Sequence, residues 1–408
     1  MNYESLKAKC YASPGIFYPD NTQNIANIKQ TLVYLAGGDY PELSVRESFF
    51  PQGVNNRAQN IIVLAIDSVS YKIFHAFHNK LTAVPSVTTA LTSTFPSTSV
   101  VSWSSIIQGV APTEHAIYGP VFYHEEFNRV ITILRDAIYV TNWDKVPIPN
   151  PCQYSLGSPT PTLFEELATL GWTSYFLCDR GLAGAKSWAY RYLAGAKVVA
   201  NFFDIQCYFD IKRLLAKCLD LTEQVIGQIN NSGNLVWTFI NLDPLVHETG
   251  FTQSDQEYFW STISLFINRI SSHSKPFTIV LLSDHGQITQ EVDRECVSKF
   301  NELVDNPNLF RLPFGGAGRV RWVYPKSNKV DTVYKLFTSI IGEYGKVMYR
   351  ADLENSVFFL NLPIPKKTRL GEVVMIATSP RFPSFGHTLR AEHGSASEDE
   401  MFVPFLVF

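Results

Sequence analysis

Long apolar runs are missing from this chain of 408 residues: none reaches the ~18 residues a membrane-spanning helix needs, so no association with a membrane is expected. Charge is also scarce. Asp, Glu, Lys and Arg make up 17% of the residues and the formal net charge is −3, without a basic stripe or a block of like charges. Stable nucleic-acid binding is therefore not expected. The six cysteines (Cys10, Cys152, Cys178, Cys207, Cys218 and Cys296) are scattered and none stands in a C-x-x-C pair. That spacing fits reduced thiols, in the core or at the surface, of a cytoplasmic protein. The first twenty residues, MNYESLKAKCYASPGIFYPD, lack a charged segment followed by an apolar one, so a secretory signal is not expected. Repeats and low-complexity tracts are absent as well.

What the chain does contain is apolar material for a large core: 46% hydrophobic residues, with 29 Phe and 19 Tyr. Three stretches share one pattern. Asn60 to Ile66 is a continuous apolar run followed by Asp67; Leu235 to Leu242 leads into Asp243; Phe277 to Ser283 leads into Asp284. Continuous runs suit strands buried on both faces of a parallel sheet. Helical periodicity lies between them, at about Val69 to Asn79, Leu163 to Leu170, Asp210 to Ile229 and Gln256 to Ile270. Further strands are expected at Trp172 to Cys178 and Lys197 to Phe202. This alternation predicts a doubly wound α/β fold, a mostly parallel central sheet with helices on both faces.

Residues 1–58 read as an N-terminal extension packed on the core, with one helix from Asn24 to Leu35. The core spans 59–290. A small α+β insert or cap follows at 291–383, with strands at Arg319 to Tyr324, Val357 to Leu360 and Glu372 to Ala377 and a helix at Val330 to Gly342. Residues 384–408 return to the core. Pro120 to Leu134 reads as short strands, and the proline-rich Thr141 to Pro161 as loop.

In open α/β sheets the ligand site lies beyond the carboxyl ends of the strands. Three carboxylates on one edge repel one another unless a cation sits among them. Histidines accompany them: His247 follows Asp243 by four residues, His285 adjoins Asp284, and His393 opens a polar loop near the end of the chain. Three Asp and up to three His suit two Zn²⁺ ions, and Mn²⁺ would accept the same donors. The stretch Phe95-Pro-Ser-Thr-Ser-Val-Val-Ser-Trp-Ser-Ser-Ile-Ile-Gln-Gly109 is a loop feeding a helix. Helix N-termini bind phosphoryl oxygens. Ser97, Thr98 and Ser99 are N-cap residues, and a serine here is also a candidate nucleophile.

In their order these pieces resemble the alkaline phosphatase superfamily, and within it the type I phosphodiesterase/nucleotide pyrophosphatase family, most closely its bacterial and archaeal members. The matching residues are Asp67; Phe95 to Ser99 with Gly109; Pro112-Thr-Glu-His115 with Gly119; Asp243 to Gly250; Ser283 to Gly286; and Glu392-His-Gly394 with Glu400 to Pro404. The resemblance implies an alkaline phosphatase-like core. It implies one metal held by Asp243, His247 and His393, and a second held by Asp67, Asp284, His285 and the nucleophile. Counting back ten residues from Gly109 makes Ser99 that nucleophile, with Thr98 its neighbour in competition.

The function expected is cleavage of phosphodiester or pyrophosphate bonds of nucleotides or related small esters, through a phospho-serine intermediate. The same core also suits a phosphomonoesterase or phosphonate hydrolase. For a monoesterase the extra cation would come from Arg311, Arg319 or Arg321. A metal-binding interaction protein without catalysis is the reading from another class. His115 is expected to stabilise its loop, His75, His78, His124 and His273 to have no role, and His387 is a weaker candidate to support the ligands. The sequence leaves the oligomeric state open.

Overall fold

A computed structural model describes residues 2–38, 57–134, 136–142, 144–148, 158–184, 189, 192–304, 306–384 and 389–408. Seven strands form the central sheet: β1 (Asn60–Ile66), β2 (Val87–Thr92), β3 (Thr173–Asp179), β4 (Ala196–Asn201), β5 (Asn234–Ile240), β6 (Thr278–Ser283) and β7 (Phe402–Val407). Their order is β4-β3-β5-β1-β6-β7-β2. The pairs from β4 through β6 are parallel, and β7 runs antiparallel between β6 and β2. The sheet is thus mostly parallel, as expected, although β2 left no sequence signal that was read as a strand.

Burial explains the continuous apolar runs. Every residue of β1 and β5 is buried. Alternate residues of β1 face opposite layers, as the two-residue period of a strand requires. Ile61, Val63 and Ala65 pack with Ile28, Leu32, Val100 and Trp103 on one side. Ile62, Leu64 and Ile66 pack on the other with the helices Ile211–Gln228 and Gln253–Ser271.

Register then positions the site. Ile66 of β1 pairs with Ile240 of β5 and with Ser283 of β6. The chain therefore leaves all three strands at one level of one edge, where Asp67, Asp243 and Asp284 follow.

An eight-stranded sheet lies beside this core. Strands Gly345–Tyr349, Val373–Ala377, Val320–Val323 and Gly315–Ala317 come from the expected insert. Val121–His124, Arg129–Thr132, Ala137–Tyr139 and Lys145–Pro147 complete the sheet, joined to the first four through Gly316 and Val121. Lys145–Pro147 falls in the stretch expected as loop, and residues 149–157 of that stretch lie outside the described residues. The strand expected at Val357 to Leu360 is instead a 3-10 turn, Val357–Phe359. The Ser356 side chain accepts from the Phe358 N–H, and Leu360 and Asn361 turn left-handed at φ 59°, which ends any extended run. The helix expected at Asn24 to Leu35 opens as a 3-10 turn and becomes α-helical at Ile28–Leu35. Asn24 and the Asp20 N–H both bond the Thr92 hydroxyl, which fastens the N-terminal residues to β2. Among the described residues no helix is long and apolar enough to cross a membrane.

Candidate metal centre

The loop after β1 is fixed at both ends. The Asp67 N–H donates to Ile240 O at 3.0 Å, and the Val69 N–H donates to the Ser283 hydroxyl at 3.0 Å. Asp284 follows β6 directly. Asp243 lies three residues beyond β5, in the first turn of the helix Asp243–Thr249. Residues four apart share a helix face, so Asp243 and His247 point the same way, with Oδ1 and Nε2 3.2 Å apart. His393 arrives because Ala391–Glu392 pairs with Ile288–Thr289, just past His285.

The six side chains meet in two groups, Asp243 with His247 and His393, and Asp67 with Asp284 and His285; within each group the donor atoms lie within 4.8 Å of one another. All three imidazoles are oriented by backbone carbonyls. Nδ1 faces Ala391 O in His247 (2.8 Å), Gly286 O in His285 (2.8 Å) and Ser97 O in His393 (3.2 Å). A carbonyl only accepts, so each Nδ1 carries a proton, and Nε2 is the atom each ring presents to the centre, free to offer a lone pair to a metal. The rings of His285 and His393 stack at 4.1 Å.

The electrostatics call for a cation. Burial, and then the charge of Asp243, pushes Asp67 up to about 7. Burial and Asp67 hold Asp284 well above the usual carboxylate range. Burial also opposes ionisation of Asp243, but His247 and His393 outweigh it and hold that carboxyl well below its usual value. His247 loses to burial and gains more from Asp243, rising to about 10; burial, then His393, holds His285 well below the ordinary range. One detail tests the fit. Asp284 Oδ2 is buried without a hydrogen-bond partner, 3.3 Å from His285 Nε2. With Nδ1 protonated, these are two lone pairs facing each other, which a metal ion between them would satisfy. Nitrogen and oxygen donors in threes, with positions left open, suit catalytic Zn²⁺ and also Mn²⁺.

Ser99 begins the helix Ser99–Gln108. From Thr89 to Gln108 every residue is buried except Ser99. Its Oγ lies 3.1 Å from His285 Nε2 and 3.4 Å from Asp67 Oδ1. Ser97 instead spends its hydroxyl on Ser395 O, and Thr98 is buried as the residue before the helix.

The remaining candidates fall elsewhere. His115 accepts from the Ile117 N–H at Nδ1 and meets the Ser105 hydroxyl at Nε2, and burial lowers its pKa to about 3; it is a neutral residue bracing its loop. His75 and His78 stack on the surface, His124 packs near Phe127, and His273 is exposed. His387 lies outside the described residues. Arg311 pairs with Glu372 at the surface. Arg319 is buried and its Nε bonds Glu400 Oε1 at 3.1 Å. Glu400 in turn accepts from the Ser395 N–H and the Ser397 hydroxyl, while the Arg319 N–H donates to His393 O. This pair therefore braces the loop that carries His393. Arg321 lines a cavity of about 310 Å³ with Lys145, Tyr139 and Glu392.

The sequence reading missed Ser68. Its hydroxyl lies 3.0 Å from Asp67 Oδ1 and 3.1 Å from Asp243 Oδ1, and its N–H donates to Asp284 Oδ1 at 3.2 Å. The available signal was its place directly after Asp67.

Solved structures share this architecture. Murine ectonucleotide pyrophosphatase/phosphodiesterase 5 superposes with a TM-score of 0.55 at 14% identity, covering 86% of this chain and 88% of that one. Phosphonoacetate hydrolase from Sinorhizobium meliloti 1021, in complex with phosphonoacetate, gives 0.57 at 13%, covering 87% and 92%. The alkaline phosphatase PafA gives 0.54 at 11%, covering 86% and 90%. At these identities the likeness concerns the fold, which is that of the alkaline phosphatases. No curated protein matches the chain significantly. The family model for type I phosphodiesterase/nucleotide pyrophosphatase, however, matches residues 61–391, and the chain belongs to that family of phosphoester hydrolases.

Proposed function

We propose that this protein is a two-metal phosphodiesterase or pyrophosphatase that attacks nucleotides or related small phosphate esters through Ser99. The observation that carries the reading is the placement of Ser99: the one residue of its stretch open to solvent, at a helix start, with its hydroxyl against Asp67 and His285. Asp243, His247 and His393 would hold one divalent ion, and Asp67, Asp284, His285 and Ser99 the other. Such ions, Zn²⁺ or Mn²⁺, supply Lewis acidity that lowers the pKa of a bound hydroxyl or water. Ser99 Oγ, its proton passed to solvent, forms a bond to phosphorus in line with the leaving oxygen. The bond to that oxygen breaks and its electron pair departs with it. First-turn N–H groups of Ser99–Gln108 would bind an equatorial oxygen, where charge accumulates. Water then cleaves phospho-Ser99 and restores the hydroxyl.

A second reading, phosphomonoesterase or phosphonate hydrolase on the same metal core, draws on the cavity where Arg321 and Lys145 stand with Glu392, two cations against one carboxylate. The buried free thiols Cys10, Cys178, Cys207, Cys218 and Cys296 favour a reducing, cytoplasmic setting.

Hydrolysis of bis-p-nitrophenyl phosphate and of p-nitrophenyl phosphate, each with added Zn²⁺ and with chelator, tests these readings. Diester turnover abolished by chelator is expected. Faster monoester turnover would favour the second reading, and no turnover with any metal would leave a binding protein. Ser99→Ala should lower turnover at least ~10³-fold with metal content unchanged; full activity in that variant would remove Ser99 from the mechanism.

A further inference from the structure

We infer that Ser68 is a positioning residue that couples the two metal half-sites. The inference rests on the two-metal reading above.

Three observations carry it. First, among the described residues Ser68 is the one residue with a polar atom within hydrogen-bond distance of all three carboxylates. Its N–H serves Asp284, and its hydroxyl lies between Asp67 of one group and Asp243 of the other. Second, the backbone works against a side chain here. Ser68 sits at φ 64° and is fully buried. Glycine adopts that conformation without strain, and would keep the N–H bond to Asp284. The hydroxyl is therefore what serine adds, in a conformation that disfavours it. Third, a hydroxyl has one proton to donate, yet two carboxylate oxygens lie within 3.1 Å of it. It donates to one of them, and its oxygen rests against the other, where a cation near both, or a proton on the second carboxyl, removes the repulsion. The hydroxyl thus sets the spacing of Asp67 and Asp243, and through them the spacing of the two ion positions.

The test separates the hydroxyl from the turn. Ser68→Gly removes the hydroxyl and relieves the backbone; Ser68→Ala removes it and keeps the strain. Zn²⁺ binding to metal-stripped protein is measured by calorimetry against a competing chelator, alongside the thermal midpoint of the metal-free protein. The expected result is a similar fall in affinity for both ions in both variants, about 10- to 100-fold, while the metal-free Ser68→Gly protein melts no lower than the parent. Affinities retained in Ser68→Gly and lost only in Ser68→Ala would show that the turn alone matters and would overturn the inference. Affinities retained in both would overturn it too. A parent protein that binds fewer than two ions would remove the two-metal reading itself, and the inference with it.

Discussion

The two sheets carry information in different ways. In the central sheet, each strand that feeds the site is buried on both faces, so β1, β5 and β6 read as continuous apolar runs, and the carboxylate past each run marks the sheet edge. In the eight-stranded sheet, the strands are three to five residues long and come from two segments, 121–147 and 315–377, far apart in the chain. Short strands, paired over such separations, leave little local pattern. The first region places the chemistry; the second is joined to it at Arg319, which stands between two strands of the outer sheet and bonds Glu400 and His393 of the rim.

The largest effect should follow a change at the rim itself. Asp284 has no exposure and brings an unsatisfied Oδ2 to His285. Asp284→Asn should cut metal affinity at least ~100-fold and activity in parallel, as read by elemental analysis after dialysis. Retained metal would mean that the Asp67, Asp284 and His285 group is not an ion site.

Next comes the joint. Arg319→Met leaves Glu400 buried without its cation. Breaking a buried pair in this way costs about 3–5 kcal/mol, measurable by urea unfolding. Because Glu400 also holds the Ser395 and Ser397 side of the His393 loop, metal affinity should fall as well. Lost stability with unchanged metal binding would show that the loop holds its shape without the pair.

These two cases show what was legible. Asp67 and Asp284 stood out because they follow buried strands with no intervening residue, His285 because it adjoins Asp284, and His247 because it lies one helical turn from Asp243. Arg319 was considered only as a substrate cation, since its partner Glu400 is 81 residues away and no periodicity links them. Ser68 was missed for a different reason: a serine after an aspartate reads as an ordinary turn, and its contact with Asp243 depends on how β1 and β5 register. β2 was missed because its threonines, Thr88, Thr89 and Thr92, interrupt the apolar run that marked the inner strands; it lies at the sheet edge.

The smallest effect belongs to the outer sheet. Arg369 is buried and bonds Glu125 Oε2 through Nε and Nη2, at 3.2 and 3.1 Å, and Ala116 O through Nη1. Arg369→Met should cost about 1–3 kcal/mol and leave metal binding intact. Burial alone would raise the Glu125 pKa, but its bonds to Arg369 dominate and lower it. A depressed folded-state pKa contributes stability that is full above the unfolded value, about 4.3 for Glu, and is lost as pH falls through the folded one. The stability gap between parent and Arg369→Met should therefore be constant near neutrality and narrow below about pH 4, as urea midpoints across pH would register. If the variant also lost metal, the outer sheet would have to be counted as part of the site rather than as its support.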